Sequence, residues 1–165
     1  MEIDFEREIS QNALISSWGL WACAVRFHEE VKGSRGIPFP QMFIVLPLLL
    51  HQKSAGVIKG KTMVAGSFYR ALGEDRTLVV GLQERLQGHA WNTLRALNLS
   101  FASELLRLDR DTLQIYPGLR KLPNGAVVSS LPEDVQQVIN AGRRVGYWLA
   151  ETEFDVICSL LKIRY

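Results

Sequence analysis

Gly36-Ile-Pro-Phe-Pro-Gln-Met-Phe-Ile-Val-Leu-Pro-Leu-Leu-Leu-His51 packs Pro38, Pro40 and Pro47 around a dense apolar run and closes on a histidine. How this stretch is read decides what kind of fold surrounds it. Met42–Leu50 is far shorter than the roughly 20 apolar residues that cross a bilayer. The stretch is therefore expected to be a buried, bent core element of a soluble protein. Pro38 and Pro40 suit a position at or just before a helix N-terminus, where a missing N–H costs nothing. Pro47 lies further in and is expected to kink or break the element that starts there.

On the N-terminal side, residues 12–31 predict a helix with two apolar stripes. Leu14, Trp18, Trp21 and Val25 form one, and Leu20, Ala24, Phe27 and Val31 the other. Two stripes leave little polar face, so this helix is expected to be largely buried. Lys32-Gly33-Ser34-Arg35-Gly36 ends it. On the C-terminal side, His51–Lys61 reads as a polar loop and Thr62–Leu72 as a short helix. Asp75 is a suitable N-cap. The next helix carries Leu78, Leu82 and Leu86 and ends at Gly88. A further helix capped by Asn92 turns Leu94, Leu97, Phe101 and Leu105 inward.

The period then changes from helical to alternating. Leu106–Asp109 and Thr112–Tyr116 flank Arg110 and predict a β-hairpin. Two helices joined by a short turn and followed by a hairpin have the order of a helix-turn-helix with a wing. Ser130-Leu-Pro-Glu133 has capping-box spacing. The helix it opens presents Val135, Val138, Ile139, Gly142, Val145, Trp148 and Leu149 on one face. Gly142 and Gly146, four residues apart, let another element approach that backbone. Core packing is the expectation there, and a seam for self-association into a homo-oligomer is the alternative. A last helix, Phe154–Leu161, and an extended end finish the chain. The fold class expected is α+β and predominantly helical. It has a winged-helix-like core flanked by N- and C-terminal helices, in a single domain over residues 1–165.

Composition narrows the function. The chain has 165 residues, 47% hydrophobic and 22% charged, enough for a core without staples. Its net charge of +2 does not by itself announce a nucleic-acid partner. Cys23 and Cys158 sit in apolar surroundings, the pattern of a reduced cytoplasmic protein. Met1–Arg7 is acidic and lacks the features of a signal peptide. No membrane association is expected.

Ala55-Gly-Val-Ile-Lys-Gly-Lys-Thr62 meets a loose form of the phosphate-loop pattern, with Lys61 and Thr62 as its phosphate and magnesium ligands. The pattern needs a buried strand directly before it, and His51-Gln-Lys-Ser54 intervenes. A solvated basic loop is the expectation. His28, His51 and His89 lack metal-ligand spacing, and no acid/base pair stands out. No catalytic residue, metal or cofactor is assigned. A winged-helix nucleic-acid binder would rely on Arg95, Arg107, Arg110, Arg120 and Lys121. Only Arg95 lies on the would-be recognition helix, whereas sequence readers draw much of their affinity from several cations.

The chain resembles the middle component of bacterial three-component ABC-ATPase systems, associated with conflict and phage defence. The resemblance rests on Asn12-Ala-Leu before an aromatic-bearing helix, on Ile37-Pro-Phe-Pro and on Leu46-Pro-Leu-Leu-Leu-His51. It continues through Asn92-Thr-Leu-Arg-Ala-Leu, Leu105-Leu-Arg-Leu-Asp, Ala141-Gly-Arg-Arg-Val-Gly-Tyr-Trp-Leu-Ala150 and Leu161-Lys-Ile-Arg. The final Arg164-Tyr165 departs from a more typical Arg-Pro. The resemblance implies an accessory subunit without chemistry of its own, an adaptor between an SMC/Rad50-like ABC ATPase and a third, effector-like component. Any nucleic acid would then be met through the complex. Trp18, Trp21, Phe43, Tyr69 and Trp148 are the candidate anchors, and any of them left exposed would mark a partner face.

Overall fold

The structure is a computed structural model and describes residues 12–165. The acidic stretch Met1–Arg7 lies outside the described residues. Helix α1 (Ala13–Glu30) is the central element. The Asn12 side chain accepts hydrogen bonds from Leu14 N at 3.1 Å and Ile15 N at 3.2 Å, which satisfies two donors of the first turn. Most of α1 is buried, as its two stripes require, but Leu14 in the first turn, expected on the first stripe, is 55% exposed because it lies at the end of the helix.

The proline-rich stretch divides into three. Ile37–Pro38 forms a short strand, β1, Phe39–Ile44 a 3-10 helix, and Val45–Leu49 helix α2. Met42, Ile44, Val45 and Leu46 are fully buried. Pro47 does not break the element, contrary to the expectation. It falls in the first turn of α2, where its missing N–H has no helical partner to lose. The sharp bend comes later. Phe39–Leu49 and the next helix, α3 (Gln52–Lys59), meet at 94°. Among the described residues no single helix is long and apolar enough to cross a membrane.

Helix α3 replaces the loop expected over 51–61. His51 caps it, with Nδ1 accepting from Ser54 N at 3.3 Å, and its inner face holds Ser54 and Ile58. Helix α4 (Ser67–Glu74) follows, and Asp75 caps the 3-10 turn Arg76–Leu78.

The helix-turn-helix expected at the centre is replaced by one 21-residue helix, α5 (Leu82–Ala102). Gly88 and Asn92 sit in its interior. A glycine costs a helix only about 1 kcal/mol. The buried stripe Leu82, Leu86, Thr93, Ala96, Leu97 and Ser100 runs through it and outweighs that cost. Leu94, expected inside, is 41% exposed.

The hairpin is present as β2 (Leu106–Asp109) and β3 (Gln114–Pro117), paired Leu106 to Pro117 and Leu108 to Ile115. β1 joins it through Ile37 and Ile115, giving an antiparallel sheet of order β1-β3-β2. Helix α6 (Glu133–Glu151) has Pro132 at its N-cap. The Ser130 capping box does not form, because the Ser130 hydroxyl donates to Val127 O at 2.6 Å instead. Helix α7 (Phe154–Leu161) ends the helical order. The Gln83 side chain ties the last residues to α5, donating to Arg164 O at 3.0 Å and accepting from Arg164 N at 2.9 Å.

The core is built on α1 against α6, with α5 and β3 completing the shell around α1. Gly142 and Gly146 make that contact possible. A Cβ on Gly142 would lie 2.6 Å from Gly19 O. The buried hydrophobic residues form one contiguous cluster.

Candidate partner-binding groove

Two of the five candidate anchors are core residues. Trp21 is 2% exposed and its indole N–H donates to Leu119 O at 2.8 Å, tying α1 to the loop after the hairpin. Trp148 is 1% exposed and its indole donates to the Ser67 hydroxyl at 2.9 Å. Both polar tips find partners inside the fold, as a buried indole requires. Trp18 and Phe43 are half-buried, each packed edge-on against a neighbour, Trp21 and Phe39 respectively. Tyr69 alone of the five is exposed. Trp91 on α5, which the sequence reading passed over, is the most exposed of the large hydrophobic residues among those described, at 70%.

Arg95, Arg107, Arg110, Arg120 and Lys121 are all exposed. The continuous α5 leaves Arg95 without a recognition-helix setting. Along the hairpin, Glu104, Asp109 and Asp111 stand among the cations. Asp109 turns its carboxylate onto its own chain, accepting from Asp111 N at 2.9 Å and Thr112 N at 3.2 Å. This mixed-sign surface differs from the cationic stripe that duplex backbones select.

The first part of the phosphate-loop-like motif, Ala55–Lys59, is helical, and Lys61 and Thr62 lie just beyond the end of α3. Ala55 N donates to His51 O at 2.8 Å, so backbone donors that would cradle a phosphate are spent within α3. Lys61 pairs with the Glu74 carboxylate, whose pKa is lowered by that hydrogen bond and by the lysine charge. Cys23 and Cys158 are free thiols, and burial pushes both upward, away from thiolate chemistry. Among the described residues no three His, Cys, Asp or Glu side chains gather as a metal site.

What the fold does open is a groove of about 470 Å³ between α2–α3 and α6. Its walls are chiefly apolar. Leu49, Leu50, Ala55 and Gly56 line one side, and Val138 and Ala141 the other. Charge marks its ends. Asp134 lies in the first turn of α6, and Arg144 ten residues on, about 15 Å along the helix axis. Arg144 Nε donates to Lys61 O at 2.7 Å and Nη1 to Asn140 O at 3.1 Å, which holds the guanidinium beside the end of α3. Lys59, in the last turn of α3, adds a second cation to the lining.

Gly56 is the unusual member of this wall. It stands inside α3, where glycine weakens the helix, yet a Cβ there would meet nothing within 4 Å. The chain's own packing makes no use of the missing side chain. No local pattern revealed the groove, since its two walls are some 80 residues apart in sequence and one of them, Ala55–Lys59, reads as part of a polar loop.

The family model described as ABC-three component (ABC-3C) system Middle Component 3 matches residues 1–165, and the chain belongs to that family. It is therefore a middle component of an ABC-3C system. No curated protein and no solved structure matches it.

Proposed function

We propose that this chain is a non-catalytic adaptor subunit that links an SMC/Rad50-like ABC ATPase to an effector component in a bacterial anti-phage defence system, acting in the cytoplasm. Membership of the middle-component family supports an accessory role. The observation that carries the adaptor reading is the α3–α6 groove, apolar along its walls with an acid in its lining at the start of α6 and cations where α3 ends. The occupant we assign to it is an amphipathic helix of the ATPase component. An apolar face on that helix would fill the groove, an acidic residue would meet Lys59 and Arg144, and a basic one would meet Asp134. A direct nucleic-acid contact at the hairpin is the lesser reading, because acidic residues interrupt its cations.

The test is co-expression with the partner ATPase and a pull-down on the tagged middle component. A Cβ at Gly56 meets nothing within 4 Å, so Gly56→Leu projects from the groove wall into open space, and the variant should fold as the parent does and lose the ATPase. Undiminished capture by Gly56→Leu would sink the groove assignment. Turnover of any substrate by the isolated, homogeneous subunit would sink the non-catalytic reading.

A further inference from the structure

The outward face of α5 carries a second, separate pattern. Glu84, Gly88, Trp91, Arg95 and Asn98 follow one another at spacings of four, three, four and three residues, and all five are exposed. That alternation is a heptad seam, which keeps these residues on one stripe of the helix. The opposite stripe is the buried one that faces the core. Trp91, 70% exposed, sits at the middle of the seam with Leu94 on its flank. Gly88, one turn before it, has nothing within 4 Å of the Cβ position. Among the described residues Arg95 has no hydrogen-bond or ion-pair partner.

We propose that α5 pairs antiparallel with α5 of a second copy of this chain, across a two-fold axis passing between His89 and Ala90. Three things on this face select that occupant. The axis places Trp91 of each copy over Gly88 of the other, so the indole enters the gap that the absent side chain leaves. It places Glu84 of each copy opposite Arg95 of the other, so two ion pairs of matching sign flank the central tryptophans. It also pairs the two seam positions of the heptad with each other across the interface, the arrangement antiparallel helices adopt. Each contact is made twice, as an isologous interface requires. Sliding the register to stack Trp91 on Trp91 sets Glu84 against Asn98 and Arg95 against Gln87, and both charge pairs are lost. The seam is short and has one large apolar residue, so association is weak and concentration-dependent. This face is distinct from the α3–α6 groove, so the dimer does not depend on the adaptor reading.

Sedimentation velocity of the full chain over a wide concentration range reads the association directly. The parent should shift from monomer to dimer as concentration rises. Arg95→Glu sets like charges opposite Glu84 and should weaken the dimer by about tenfold or more. Combining it with Glu84→Arg restores opposite signs and should restore the dimer. Gly88→Leu fills the gap under Trp91 and should give a monomer whose melting temperature is raised, because leucine is the better helix former. Association and fold stability then move in opposite directions, which separates a lost interface from a damaged fold. A parent that stays monomeric throughout would overturn the proposal. So would a dimer indifferent to Arg95→Glu and Gly88→Leu.

Discussion

Gly146 of α6 rests directly on the carbonyl of Cys23 in α1, so close that a Cβ on Gly146 would clash with that oxygen and lie 3.0 Å from the carbonyl carbon. The obstacle is main chain in the middle of a buried helix and has no rotamer to retreat into. Gly146→Ala must therefore push α1 and α6 apart. The cost expected is at the upper end of overpacking, about 3 kcal/mol, or about 6–12 °C in melting temperature for a chain of this size. Gly142→Ala should act in the same direction through Gly19 O. Gly73→Ala, in α4 with nothing within 4 Å, is the control and should be neutral or stabilising. Thermal melts of the three variants decide it, and a Gly146→Ala that melts with the parent would mean that the helices are not in this contact.

The single imidazole of His51 holds the start of α3. Its Nδ1 accepts from Ser54 N and lies 2.8 Å from the Ser54 hydroxyl, while Arg85 Nη2 approaches that hydroxyl at 3.3 Å. The ring acts here as an N-cap, a role more often given to serine or asparagine. His51→Ala should cost about 1 kcal/mol, and His51→Asn should recover most of it. Hydrogen exchange of the α3 amides locates the effect, which should be confined to Gln52–Lys59 and the Arg85 contact. Loss spread evenly over the whole chain would contradict a capping role.

Acid should loosen the fold through two aspartates that serve as local caps. Asp75 is held below the usual 3.8 by the Thr77 hydroxyl and the Thr77 amide, and Asp109 by the amides of Thr112 and Asp111. A lowered folded-state pKa means that the unfolded chain takes up protons first as pH falls. Their stabilisation is thus complete above about 3.8 and is lost as pH drops through the folded-state values. The urea midpoint of the parent should fall as pH is lowered toward about 3. In an Asp75→Asn, Asp109→Asn double variant, which keeps an acceptor but cannot titrate there, that fall should be shallower. Identical profiles would show that these carboxylates do not couple to folding.

Legibility in the sequence followed the range of the interaction. The stripes of α1, the hairpin and the paired glycines of α6 are patterns within one element, and each is visible in a short window. Helix α3 was hidden because its buried face is only Ser54 and Ile58, which looks like a polar loop. Helix α5 read as two because Gly88 looks like a stop, and only packing against α1 shows why it is not. The strand β1 is two residues long, too short for any alternation to show. The stripes place Trp21 and Trp148 inside, but the partners of their indoles, Leu119 O and Ser67, are far off in sequence and show only in the fold. Trp91, on no predicted stripe, stays outside with no indole partner among the described residues. The groove belongs to the same class, since α3 and α6 meet only in three dimensions.

Gly56 offers the sharpest separation of stability from binding. In an exposed helix interior, alanine outperforms glycine by up to about 1 kcal/mol, chiefly through backbone entropy. Because a Cβ at Gly56 meets nothing within 4 Å, no clash offsets that gain. Gly56→Ala should raise the melting temperature by about 2–4 °C. If the glycine is kept so that a partner backbone can lie close to α3, the same methyl group should also weaken ATPase capture, and Gly56→Leu should weaken it further. A graded loss across glycine, alanine and leucine, with stability rising at the first step, is what the groove requires. Rising stability with unchanged capture would leave Gly56 as an ordinary surface residue and move the search for the docking face elsewhere, with exposed Tyr69 as the next position to substitute.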